Sequence, residues 1–416
     1  MTDERWFVGV DWATEEHAVC IIDAHGEIVG ERVFKHTGSA LAEMCTWLLK
    51  AAGDDPAALD VAIEVPHGPV VETLLERGIQ VHAINPKQLD RFRDRFTVAG
   101  AKDDRRDAYV LADSLRTDMK CFRRLRIDEA LVIELREWSR IAQELQEDRI
   151  RFGNRLQQQL LRYYPQMLEL ADDLANDSFL ALWELLPTPQ HASRARERAV
   201  GALLKEQRIR RFDAKHVLKT LRQKPLTVAP GTTEAASAHI ASLAVRLRLV
   251  NRQLKDAHRK LDVIVEALGT KEEAERGHMC EQRDVDILRS LPGVGRIVLA
   301  TLLTEASQPL AQRDYEALRL LCGVAPVTRN SGKRQGKRSI VVMRYACHMR
   351  LRNAVYHWAR VASQVEPKSR AAYAELRARG HSHGRTLRTI ADRLLRTAVA
   401  MLRARTVFDP SRRLAA

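Results

Sequence analysis

The chain has 416 residues, 45% hydrophobic and 29% charged, with 68 Lys plus Arg against 54 Asp plus Glu for a net charge of +14. That length exceeds one minimal core and predicts two or three domains, and the apolar share excludes a disordered or fibrous chain. A basic globular protein points first to a polyanion, DNA or RNA, ahead of an acidic membrane surface. No run reaches the roughly 18 apolar residues of a membrane span, and the opening MTDERWFVGVDW lacks the basic-then-apolar layout of a signal peptide. A cytoplasmic, nucleoid-associated protein without membrane contact is therefore expected. The six cysteines are scattered without a CxxC pair and read as reduced and structural, and His381 and His383 read as surface residues.

In chain order, Phe7 to Asp11, His17 to Asp23 and Glu27 to Phe34 predict three short strands joined by tight polar turns. SALAEMCTWLLKAAG predicts a helix with Leu41, Met44 or Cys45, and Leu48 on one face, ended by Gly53. A strand over Val61 to Val65, a helix from Val70 to Arg77 closed by Gly78, and a strand from Ile79 to Asn85 stopped by Pro86 follow. Three meander strands and then alternating helix and strand is the order of an RNase H-like mixed sheet with flanking helices, an α/β domain expected to span 1–163. Beyond Lys102 the pattern turns helical, including a long helix from about Asp128 to Tyr164. Residues 164–284 predict a helical middle whose positions Ile240, Leu243, Leu247, Val250, Leu254, Ala257, Leu261, Ile264 and Leu268 keep a three-four spacing. That is a coiled-coil seam ended by Gly269, serving an antiparallel hairpin or a dimer contact. From 285 to 416 an all-α domain is expected, opening with the helix-hairpin-helix-like LRSLPGVGRIVLATLLTEA.

Four carboxylates stand out. Asp11 closes an apolar strand, which is costly unless something ligates it; Glu64 ends a second strand; Asp104 and Asp107, three apart, share one face of a helix. Acidic side chains of this kind hold divalent ions, commonly Mg²⁺, roughly 4 Å apart across a phosphodiester. Asp104 and Asp107, set among Lys102, Arg105 and Arg106, also fit a plain ion-paired helix start. In the second half, Gly293 and Gly295 offer backbone N–H groups to a phosphate. No acidic residue occurs between Glu316 and Glu366, while Arg319, Arg329, Lys333, Arg334, Lys337, Arg338, Arg344, Arg350, Arg352 and Arg360 accumulate there. Ser331 sits between Asn330 and Gly332 in that basic stretch, turned and exposed. Without context a serine so placed is more often a hydrogen-bond donor to phosphate than a nucleophile.

VGVDWATEEHAV, VAIEVPHGPVVETLLERGIQVHAINPKQLDRF and GAKDDRRDAYVLADSLR at the front, with LRSLPGVGRIVLATLLTEA and LRLLCGVAPVTRNSGKRQGKR at the back, resemble the DEDD-type insertion-sequence transposases described as bridge-RNA-guided recombinases. The resemblance implies a RuvC-like N-terminal domain whose Mg²⁺-binding tetrad falls on Asp11, Glu64, Asp104 and Asp107. It implies a C-terminal transposase domain whose nucleophilic serine falls on Ser331 and forms a covalent phosphoserine link to DNA. It also implies donor and target DNA, a structured noncoding guide RNA, and dimers or tetramers assembled through the coiled coil. Asp103 stands where many relatives carry a small hydroxyl residue, making it the alternative to Asp104, and Ser339 is the nearby alternative to Ser331. A RuvC-like junction-resolving nuclease that uses water, and a non-catalytic nucleic-acid-binding protein, are the competing readings.

Overall fold

The structure is a computed structural model that describes residues 5–96, 103–126, 129–276, 283–329 and 340–411. The chain divides into two compact units, Met1–Glu129 and Ala130–Ala416. In the first, β1 (Trp6–Trp12), β2 (Glu16–Ile22) and β3 (Ile28–Lys35) form an antiparallel meander. β4 (Leu59–Ile63) lies parallel to β1, β5 (Gln80–Ala83) parallel to β4, and β6 (Arg123–Arg124) antiparallel to β5, giving the order β3-β2-β1-β4-β5-β6. This mixed sheet fits the expected RNase H-like, RuvC-like domain. β6 escapes sequence reading because two residues carry no period.

Period-two alternation sorts the strand residues onto two faces. Val8, Val10, Val19, Ile21, Val61 and Ile63 pack on one face with the buried residues of α1 (Gly38–Ala51) and α2 (Pro69–Glu76). Phe7, Ala18, Cys20 and Ala62 pack on the other with Leu89 of α3 (Pro86–Phe96) and Ala108, Leu111 and Leu115 of α4 (Asp104–Asp118). Each such aliphatic side chain, fully buried, contributes roughly 1.5–3 kcal/mol.

The second unit is built on two long helices, α5 (Ala130–Tyr163) and α10 (Thr232–Arg276). The short helices α6 (Asp177–Leu185), α7 (Pro189–Arg194), α8 (Glu197–Glu206) and α9 (Ala214–Leu221) lie between them in sequence. The seam from Ile240 to Leu268 is buried throughout, and its partner is α5 of the same chain. Leu135 and Ala142 share a core with Leu254, Leu261 and Leu268, whereas Leu156 and Leu160 share one with Ile240, Leu243 and Leu247. The pairing is therefore antiparallel, which selects the hairpin from the two arrangements the spacing allowed. The Lys260–Glu134 ion pair (3.3 Å) and the Arg149 to Asn251 hydrogen bond (2.9 Å) keep the register. The expected stop at Gly269 does not occur, since α10 runs on to Arg276. One glycine costs a helix roughly 1 kcal/mol, less than burial of Val265 and Leu268 beside it returns. The expected borders at 163 and 284 both fall inside this unit, because the α5–α10 pair ties its two cores together.

The C-terminal elements are α11 (Asp284–Ser290), α12 (Arg296–Glu305), α13 (Ser307–Ala311) and α14 (Tyr315–Leu321). The hairpin strands β7 (Val327–Arg329) and β8 (Ile340–Val342) come next, followed by α15 (Met349–Val365), α16 (Pro367–Ala378) and α17 (His383–Ala404). Among the described residues no helix is long and apolar enough to cross a membrane, and Cys20, Cys45, Cys121, Cys322 and Cys347 carry free thiols.

Candidate functional site

Asp11 is the penultimate residue of β1, and Glu64 directly follows β4. Because Val10 pairs with Ile63 in parallel register, the two carboxylates leave adjacent strand ends side by side. Alternation places both on the face that carries Phe7 and Ala62, beneath α4. The carboxyl ends of parallel strands are where open α/β sheets gather their ligands. Gly9 brings the helix down onto this edge: a Cβ there would stand 1.8 Å from the Ala108 carbonyl oxygen. Only glycine lets α4 lie this close to β1.

The N-terminus of α4 gives each acid a distinct position. Asp103 is the N-cap, in extended conformation, and its side chain accepts from the Arg105 N–H at 3.2 Å. Asp104 and Asp107 occupy the first turn, Asp104 exposed and Asp107 buried. Burial, and then the negative charges of Asp107 and Asp104, push the Asp11 carboxyl up to about 6, with Glu64 adding to the rise and Arg93 opposing it. Like charges thus converge on the end of β1.

Arg93, on α3, supplies the opposing charge. Its Nε and Nη2 donate to the two Asp107 oxygens at 2.9 and 3.0 Å, Nη1 donates to Asp90 at 3.0 Å, and Nη2 stands 3.9 Å from Glu64. Among the described residues no three Asp, Glu, His or Cys side chains are already drawn up around a single metal position. The guanidinium holds the carboxylates instead. The donor set is nonetheless the hard-oxygen kind that divalent cations take, and burial together with the neighbouring carboxylates disfavours the charged form of Asp11. Arg93 gives no signal in the sequence, standing in a helix that also carries Arg91 and Arg95.

In the second unit, Ser331, Lys333, Arg334, Lys337, Arg338 and the alternative Ser339 lie outside the described residues, and Arg329 is described only as a backbone position in β7. Gly293 is left-handed (φ +84°), and a Cβ there would meet the Ala362 nitrogen at 2.7 Å and the Trp358 oxygen at 3.0 Å. Its glycine is therefore accounted for by packing on α15. Gly295 is the N-cap of α12 and faces open space. Two cations of the basic stretch are engaged internally. Arg319 grips Asp392 through Nε (3.1 Å) and Nη2 (2.9 Å). Arg350 donates to Glu305 (2.5 Å), Ser139 (2.7 Å) and Gln143 (2.9 Å). An acid-free run of sequence is thus not an acid-free surface. His383 bonds the Tyr373 hydroxyl at 2.8 Å, in keeping with its surface reading.

Comparison with known proteins places these observations. A DEDD-type transposase family model matches residues 8–165, and the model of the transposase IS116/IS110/IS902 family matches 285–374. The mini-circle protein for IS117 of Streptomyces coelicolor is 30% identical over 98% of this chain and 96% of its own length. The 44.8 kDa protein of insertion element IS116 from Streptomyces clavuligerus is 26% identical over 98% of this chain and 97% of its own length. The y4uE protein of Sinorhizobium fredii is 58% identical over 216 residues, 51% of this chain, which spans 60% of that relative. The y4uE and IS117 proteins carry transposase names. A match that runs end to end, with both family models in order along it, means that the chain belongs to the IS110/IS116/IS902 family of insertion-sequence transposases.

Proposed function

We propose that this transposase cuts and rejoins donor and target DNA through a serine-linked intermediate, with Asp11, Glu64, Asp104 and Asp107 holding Mg²⁺ and a noncoding RNA choosing the sites. The observation that carries it is the convergence of negative charge on Asp11 at the end of β1. A DEDD-type domain brings dependence on a divalent metal, and Mg²⁺, when bound, polarises the phosphate and neutralises charge on its oxygens. The Ser331 Oγ–H gives up its proton as Oγ bonds to phosphorus. The P–O bond to one deoxyribose breaks, and the freed sugar oxygen takes up a proton. The phosphoserine ester keeps the bond energy, so a second sugar hydroxyl rejoins the strand without ATP. Ser331 of one subunit serves the acids of another, and exposed Val245 and Leu249 on α10 with Ile150 on α5 offer apolar surface for such an assembly.

The test is to trap a covalent protein–DNA adduct with a full-length element, its RNA and Mg²⁺. The adduct is expected for the wild type and lost with Ser331→Ala. Asp11→Ala should lower cleavage about a thousandfold, roughly 4 kcal/mol of transition-state stabilisation, with DNA binding kept. Recombination at the wild-type level by Ser331→Ala rejects the serine, and cleavage without an adduct replaces it with the water-using nuclease. Undiminished cleavage by Asp11→Ala removes the metal site.

A further inference from the structure

A cavity of about 220 Å³ opens in the second unit, with Cys322, Met343, Arg352, Asn353, Tyr356 and Arg388 in its lining. Arg352 and Tyr356 come from α15, Arg388 from α17, and Met343 is the first residue beyond β8. The cavity therefore sits at the foot of the β7–β8 hairpin.

Its charges are one-sided. Burial, and then the neighbouring Arg385 and Arg352, push Arg388 below the ordinary arginine range against an opposing effect of Tyr345, and its Nη1 donates to the Met343 sulfur at 3.3 Å. A thioether is a weak acceptor and offers no countercharge. Asp392, one helical turn further on, is already held by Arg319 and the Tyr315 hydroxyl. Arg344, next to Met343, keeps a buried Nε with no partner. Among the described residues no carboxylate forms an ion pair with Arg352 or Arg388. Two guanidinium groups held together without an acid repel one another, and folding alone gains nothing from the arrangement.

We propose that Arg352 and Arg388, with Asn353 and Tyr356, form a phosphate-binding pocket that seats a backbone phosphodiester of bound nucleic acid. The guanidinium forks match phosphate oxygens, the Asn353 amide adds a neutral donor, and the Tyr356 hydroxyl, shared with His383 at 3.3 Å, borders the site. The space exceeds several times the roughly 30 Å³ a water occupies, so a phosphate enters with part of its hydration shell. A nucleic-acid source is favoured over a free anion because the pocket adjoins the acid-free stretch of a transposase carrying net charge +14.

The experiment uses the full chain without metal. Thermal unfolding is compared in sodium phosphate and in sodium chloride at matched ionic strength, for the wild type, Arg388→Met and Arg352→Met. Phosphate should raise the wild-type midpoint and leave both variants unmoved, and in chloride the variants should melt at or above the wild type because a repulsion is gone. Binding of a labelled oligonucleotide is then titrated across salt, and the slope of log K against log salt should fall by about one in each variant. Variants that respond to phosphate like the wild type, or that melt well below it in chloride, overturn the pocket. A lost phosphate response with unchanged oligonucleotide affinity and slope overturns the nucleic-acid assignment in favour of a free-anion site. No strand chemistry enters these measurements, so failure of the Ser331 or carboxylate reading leaves their result unaltered.

Discussion

The acid cluster at the end of β1 and the arginine-lined cavity beside β8 are opposite in sign and alike in kind. In the first, the charges of Asp107, Asp104 and Glu64 bear on Asp11, and Arg93, bound to Asp107, opposes them. In the second, Arg352 and Arg388 share a cavity without a carboxylate. The Glu305 network differs from both. Its buried carboxylate faces Arg350 at 2.5 Å, Arg140 at 3.6 Å, Arg136 at 4.0 Å and His348 at 3.4 Å, tying α5, α12 and α15 together. Charge there is answered inside the fold and serves stability, whereas charge left over in the other two places serves a ligand.

Three perturbations break or sharpen that contrast. Glu305→Gln should have the largest effect, about 3 kcal/mol lost in urea unfolding, because Arg350 is left half-buried beside other cations; a loss below about 1 kcal/mol would remove Glu305 as the stabilising counterexample. Arg93→Met comes next, with about 2 kcal/mol lost in the absence of metal, since Asp107 is then buried with no guanidinium. A divalent metal should restore more of that loss than it adds to the wild type, and equal metal responses would mean that Arg93 and the metal do not compete for the same charge.

Asp11→Asn should act in the opposite direction and by less. The Asp11 carboxyl is raised in the folded chain to about 6, so its contribution is fully present below the ordinary carboxylate value and lost as pH rises through about 6. Metal-free wild type should therefore lose about 1 kcal/mol between roughly pH 4 and pH 6, discounted for partial exposure, and Asp11→Asn should flatten that fall. A parallel fall in the variant would assign the titration elsewhere.

Much of the first unit was legible. Strand alternation, the capping positions at Gly53 and Gly78, and the carboxylates at the strand ends are local patterns that a reader of residues recovers. Asp103 and Asp104 look alike in sequence, and only the folded chain makes one the N-cap of α4 and the other a first-turn residue. Arg93 was invisible because its role depends on α3 meeting α4, and Gly9 because its reason is a helix a hundred residues away. In the basic stretch, Arg319 and Arg350 looked as free as Arg352, since their partners Asp392 and Glu305 lie far off along the chain.

By itself, then, the sequence determined the periods, the helix ends, the excess of positive charge and the identity of the candidate acids, all of which arise within a few residues. Only the tertiary structure decided that the seam of α10 closes on α5, which arginines are already neutralised, and where like charges remain uncompensated. Those outcomes rest on contacts between segments distant in sequence, whose choice among alternatives is made by packing and burial rather than by local preference.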